Sequence, residues 1–195
     1  MYKKQMLLQK ILSLLTVITG AITFLYSLGI MTDLYDTLFT TMPYSDHTKS
    51  DVAGSIIYYD MQGFNSLLVK LSIGLILAGV LLFITQTNNR RRYYVSNYFA
   101  IAVNVIYGLG FTIFAHIRIE QFKAQYKNVD FEALKAYSEM WNTRYSDSTF
   151  WFDIHYAVFG LVFVIVLLHI FNLVLKIGLM REEKNLIDSG IKEIG

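Results

Sequence analysis

Between Val95 and Ile117 the chain runs for 23 residues without an aspartate, glutamate, lysine or arginine. About 20 apolar residues in a helix cover the roughly 30 Å of a bilayer's hydrocarbon layer, so this stretch is long enough to span one. Arg90, Arg91, Arg92, Tyr93 and Tyr94 stand just before it, and beyond Arg118 the helical pattern continues in polar form to about Lys127. Three further apolar runs of similar length occupy about residues 11–31, 66–87 and 151–176. Backbone polar groups in lipid must be satisfied internally, which leaves helices or a closed barrel. The short alternating strands of a barrel are not visible in this sequence. The expected fold is all-α: a polytopic membrane protein with a four-transmembrane-helix antiparallel bundle and helical extracytoplasmic loops.

Composition agrees. With 54% hydrophobic and 16% charged residues, the chain is too apolar for an ordinary soluble surface, and 195 residues suit one membrane domain. The absence of cysteine excludes disulfides, thiolate metal sites and iron–sulfur clusters. A net charge of +2 gives no reason to expect nucleic acid. The first apolar run follows Lys3, Lys4 and Lys10 and lacks an A-x-A cleavage site, so it reads as a retained span.

Basic residues set the expected orientation. With both termini and the 88–92 turn on one side, that side holds ten of the 17 lysines and arginines, and the Arg90–Arg92 anchor contains no acid. Eleven of the 15 acids fall on the other side. We expect a multi-pass plasma-membrane protein with both termini cytoplasmic and loops 32–64 and 118–150 outside.

The first outer loop carries Asp33, Asp36, Asp46, Asp51 and Asp60, whose spacing does not match a calcium-binding loop. Ser50 and Asp51 suit a helix start, with Val52, Ile56, Ile57, Met61 and Phe64 recurring at helical spacing after them. In the second loop, Asp130 is the expected N-cap of a short amphipathic helix. Its stripe, Leu134, Tyr137, Met140 and Trp141, is the candidate interaction surface.

Polar groups inside the spans mark the candidate sites. Ser96, Ala100, Asn104, Gly108, Thr112 and His116 recur every fourth position and, with Lys70, form a candidate polar ladder. A strict four-residue step drifts about 40° each time on a straight helix, so this ridge wraps the helix and suits a crossing partner better than a pore. Lys70 reads as snorkelling toward the headgroups. His169 and Asn172 share a face and are expected to hydrogen-bond to another helix. His116, Asp153 and His155 come out at one depth and are the weak candidates for a divalent metal. His155 and His169, 14 positions apart, resemble the paired haem ligands of transmembrane cytochromes b. His116 could supply a second ligand at the outer level and no histidine does at the inner one, so neither haem nor a resident metal is expected.

No nucleophile–base pair, phosphate loop or HExxH motif occurs. The expected function is non-enzymatic: an accessory, regulatory or structural subunit of a larger membrane assembly, such as a transporter or export complex. Its partners would be the lipid bilayer and other membrane subunits or further copies of itself. The alternatives are an oligomeric channel or transporter for an ion or small solute, and a histidine-dependent redox or metal-binding subunit.

Overall fold

The computed structural model describes residues 2–41, 52–86, 95–142 and 145–189. Arg90, Arg91, Arg92, Pro43, Ser50 and Asp51 lie outside them. Among the described residues there is no strand. The elements are α1 (Tyr2–Thr41), α2 (Ile57–Gln86), α3 (Val95–Tyr126), α4 (Phe131–Trp141), α5 (Phe150–Asp153) and α6 (His155–Asp188). Four of these, α1, α2, α3 and α6, are long and apolar enough to cross a membrane. Each has at least 30 residues, which at 1.5 Å per residue exceeds the hydrocarbon thickness by several turns.

The first helix buries most of its polar side chains, the reverse of a helix on a soluble protein. Along α1 the buried polar positions are Gln5, Gln9, Ser13, Thr16, Thr19, Thr23 and Ser27, buried alongside Leu12, Tyr26 and Ile30, whereas Leu7, Ile11, Leu14, Ile18 and Leu25 are exposed. Polar residues at three- and four-residue spacing thus face protein, and most of the leucines and isoleucines of α1 face outward. Lipid tails are as apolar as leucine, so small and polar residues have more to gain at the helix contacts. On α6, Val162, Val166, His169 and Asn172 are buried, while Leu161, Phe163, Val164, Leu167 and Phe171 are exposed.

The contacts fall into two compact units, and α1, α2, α3 and α6 each contribute to both. The first comprises residues Met1–Gly20, Gly74–Gly110 and Leu161–Gly195. Leu82, Ala100 and Ile101 form a buried cluster there, with Val105 and Leu173 packed against it. The Asn104 side chain donates to the carbonyls of Ala78 (2.9 Å) and Ala100 (2.8 Å), tying α3 to α2. A methyl group on Gly108 would stand 2.6 Å from Val166 Cγ2, so only hydrogen fits where α3 meets α6. Lys176 donates to the Asn97 side-chain oxygen and lies 4.4 Å from the centre of the Tyr98 ring.

The second unit comprises Ala21–Ile73 and Phe111–Gly160. Its core includes Tyr58, Met61, Ile119, Tyr126 and Phe152. Tyr126 packs edge-on to Tyr58 at 6.0 Å and lies 5.0 Å from Phe152. Before α2, residues 53–56 form turns, so the helix starts at Ile57 and not near Ser50. The reason is Gly54, whose φ of +80° is left-handed and stops helix propagation. A Cβ there would also meet the Asn128 carbonyl oxygen at 2.6 Å. The Asp130 amide donates to the Ala53 carbonyl (3.0 Å), which fastens this turn to the start of α4. Asp130 caps α4 as its position predicts, its carboxylate accepting from the Ala133 amide at 3.0 Å. Gly63 does not interrupt α2.

Candidate metal centre

Four residues apart on α3, His116 and Glu120 point from one helix face. His155 is the first residue of α6, just after the turn at Ile154 that separates it from α5. Within the second unit these three side chains converge. His116 Nδ1 and His155 Nε2 are 2.9 Å apart, and His155 Nε2 lies 3.7 Å from Glu120 Oε1. One ligand atom from each of the three lies within 4.8 Å of the others. His155 is fully buried, Glu120 half-buried and His116 exposed.

The His155 ring is fixed on its far side. Its Nδ1 hydrogen-bonds to the Phe152 carbonyl, an acceptor only, so Nδ1 must carry the proton. That leaves the Nε2 lone pair directed at His116 and Glu120 when the ring is neutral. A carbonyl that fixes a histidine tautomer from behind is the usual support of a metal-ligating imidazole. Tyr156 and Phe159 hold the ring in place at centroid distances of 4.1 and 5.4 Å. Glu120 is oriented in turn by the Tyr156 hydroxyl, which donates to Oε1 at 2.7 Å.

Asp153 is placed differently from what depth alone suggested. Its Oδ1 pairs with Lys123 Nζ at 2.5 Å and its Oδ2 accepts from the Thr149 hydroxyl at 2.6 Å. The carboxylate that joins the histidines is Glu120, which the sequence reading did not single out. Its signal was present: His116 and Glu120 stand at i,i+4.

Without an ion, the 2.9 Å separation suits an N–H···N hydrogen bond from His116 Nδ1. Two nitrogens on a tetrahedral zinc-type ion with bonds of about 2.0–2.1 Å sit about 3.4 Å apart. A shift of about 0.5 Å between the rings, with the His116 proton moved from Nδ1 to Nε2, would therefore turn the hydrogen bond into a chelating pair.

The chain matches no protein-family profile, no curated protein and no solved structure. Its chemistry must therefore be argued from its own residues.

Ala100, Asn104 and Gly108 are buried, Ser96 and Thr112 partly so, and Lys70 is exposed on α2. The buried stripe of α3 leaves the four-residue ladder at Gly108 and continues through Phe111, Ala115, Ile119 and Phe122. This is the drift expected of a straight helix. His169 and Asn172 both meet α1: Thr16 Oγ1 lies 2.8 Å from His169 Nε2, and the Gln5 amide donates to Asn172 Oδ1 at 3.0 Å. The α4 stripe divides, with Leu134 fully buried, Tyr137 half-buried, and Met140 and Trp141 exposed at 75% and 61%. Only its last turn offers apolar surface outward.

Proposed function

We propose that this is an integral membrane protein, acting as a non-enzymatic accessory or regulatory subunit, whose outer site binds a divalent transition metal of the zinc class. The observation that carries the reading is the convergence of His116, Glu120 and His155, with His155 held in the ligating tautomer by the Phe152 carbonyl. Two imidazoles and one carboxylate favour zinc and its neighbours over calcium or magnesium, which prefer all-oxygen shells. In this reading the spans form an antiparallel bundle, the termini face the cytoplasm, and the triad lies at the extracytoplasmic interface, supplied with metal from outside. The accessory role is supported by the exposed apolar faces of α6 and of the α4 end, which suit lipid and a neighbouring subunit.

Purified protein in lipid nanodiscs should bind one zinc or cobalt ion per chain, measured by calorimetry and elemental analysis. His155→Gln should abolish binding while leaving the helical circular dichroism intact. Absence of stoichiometric binding by the wild type would sink the metal reading. Affinity purification from the native membrane tests the accessory role; recovery of the bare chain under mild detergent would count against it.

A further inference from the structure

Between His155 and Lys176, α6 carries no aspartate, glutamate, lysine or arginine. At 1.5 Å per residue that stretch rises about 32 Å, close to the roughly 30 Å of a bilayer's hydrocarbon layer. Lys176 therefore marks the edge of the apolar layer, and Arg181 and Lys184 follow within about the next two turns. Side chains on a helix lean toward its N-terminus, here toward the bilayer, which brings both cationic groups back toward the phosphate level.

Ile177, Met180, Arg181 and Lys184 share one face of α6, and together with Tyr98 of α3 they line an open groove of about 200 Å³. All five belong to the first unit. The wall of the groove is apolar, so the exposed Arg181 and Lys184 line it with their stems and carry their charges at its rim. The Tyr98 hydroxyl donates to the Met180 sulfur, which ties α3 to α6 beside the groove. Lys176 is held by Asn97 and the Tyr98 ring. Among the described residues, no carboxylate pairs with Lys176, Arg181 or Lys184. Glu182 is turned about 100° from Arg181 around the helix, and Asp188, four residues beyond Lys184, pairs with neither cation.

We propose that this groove binds an anionic phospholipid, with its phosphate held by Arg181 and Lys184 and one acyl chain laid against Tyr98, Ile177 and Met180. A guanidinium matches a phosphate in geometry as well as charge, and a neighbouring ammonium adds a second charge-assisted bond. Basic pockets between membrane helices are a recurring way of holding acidic headgroups. A soluble anion would use the two cations and leave the apolar wall uncovered. A zwitterionic lipid would bring its own cation against them. The site shares no residue with the triad and does not depend on the metal reading.

Native mass spectrometry of the full chain, released from nanodiscs containing equal dioleoyl-phosphatidylglycerol and dioleoyl-phosphatidylcholine, counts the lipid that stays bound. Each cation near an acidic lipid surface adds about fivefold to binding, so a preference for the glycerol lipid on the order of tenfold is expected. Arg181→Gln combined with Lys184→Gln should remove it, with the helical circular dichroism unchanged. Arg181→Lys combined with Lys184→Arg should keep it. Lys4 lines a separate groove with Gln5, Leu8, Leu175 and Leu179. Lys4→Gln combined with Lys10→Gln takes the same charge from exposed positions of α1 and should leave the preference intact. Dihexanoyl-phosphatidylglycerol, with the same headgroup on short chains, should bind severalfold more weakly, and inorganic phosphate should not displace the long-chain lipid. No preference in the wild type, or a preference that survives loss of Arg181 and Lys184, would overturn the proposal. So would an equal loss from the α1 pair, equal binding of the short-chain lipid, or displacement by phosphate.

Discussion

His155 carries two commitments at once: Nδ1 is spent on the Phe152 carbonyl and Nε2 faces His116 and Glu120. A ligand set in which one member is locked and one is exposed should bind cobalt with visible absorption bands. Binding should weaken as pH falls, because the ligating nitrogens must be deprotonated before they can coordinate. Tyr156→Phe removes only the hydroxyl that orients Glu120. Loss of such a supporting bond typically costs about 10–100-fold in metal affinity, so a cobalt titration of this variant should show a drop of that order, not abolition. An unchanged affinity would mean that the Tyr156 hydroxyl does not support the site. Elsewhere, Asn104→Leu removes two donated hydrogen bonds, one of them across to α2. Interhelical bonds in membranes average about 0.6 kcal/mol and reach about 1.7. A loss of about 1 kcal/mol in detergent or forced-unfolding stability is expected.

Whole elements depend on two loop residues of the second unit. Asp130→Ala deletes the α4 cap and should cost about 1 kcal/mol, read as faster amide exchange across residues 131–134. Gly54→Ala should cost more, because the left-handed φ and the Asn128 carbonyl both exclude a side chain. Its checkable consequence is easier proteolysis between residues 127 and 130, where the turn docks. The presence and type of these elements were legible in the sequence, as was the Asp130 cap, because hydropathy blocks and capping are local signals. The start of α2 was not, since the apolar spacing from Val52 onward runs straight through a glycine that only the contact with Asn128 commits to a left-handed turn. Nor was the buried polar stripe of α1 singled out, although Gln5, Gln9, Thr16, Thr23 and Ser27 recur at helical spacing. The habit of placing polar residues outside reverses in lipid. The triad was half legible: His116 and Glu120 share a face by simple counting, but which face of α6 meets α3 is decided by packing. Equal depth favoured Asp153, and only the fold reveals that Lys123 and Thr149 claim it.

For the molecule as a whole, the source of the metal depends on orientation, since a site supplied from outside must lie outside. Four apolar helices are consistent with a multi-pass membrane protein but do not say which end of each faces the cytoplasm. The charge distribution does carry a direction, because lysine- and arginine-rich short segments are retained on the cytoplasmic side. The chain lends itself to a direct test, since it contains no cysteine and any introduced thiol is the only one. Asp147 lies exposed between α4 and α5, and Ser189 lies exposed just after α6. In intact cells, a membrane-impermeant maleimide should label Asp147→Cys at once. It should label Ser189→Cys only after the membrane is permeabilised. The reverse pattern would put the triad in the cytoplasm, where free zinc is scarce. The accessory-subunit reading would survive that result, while the metal would have to come from a cytoplasmic donor. Labelling of both positions in intact cells would instead require an odd number of crossings between residues 147 and 189 to be abandoned, and with it the span formed by α6.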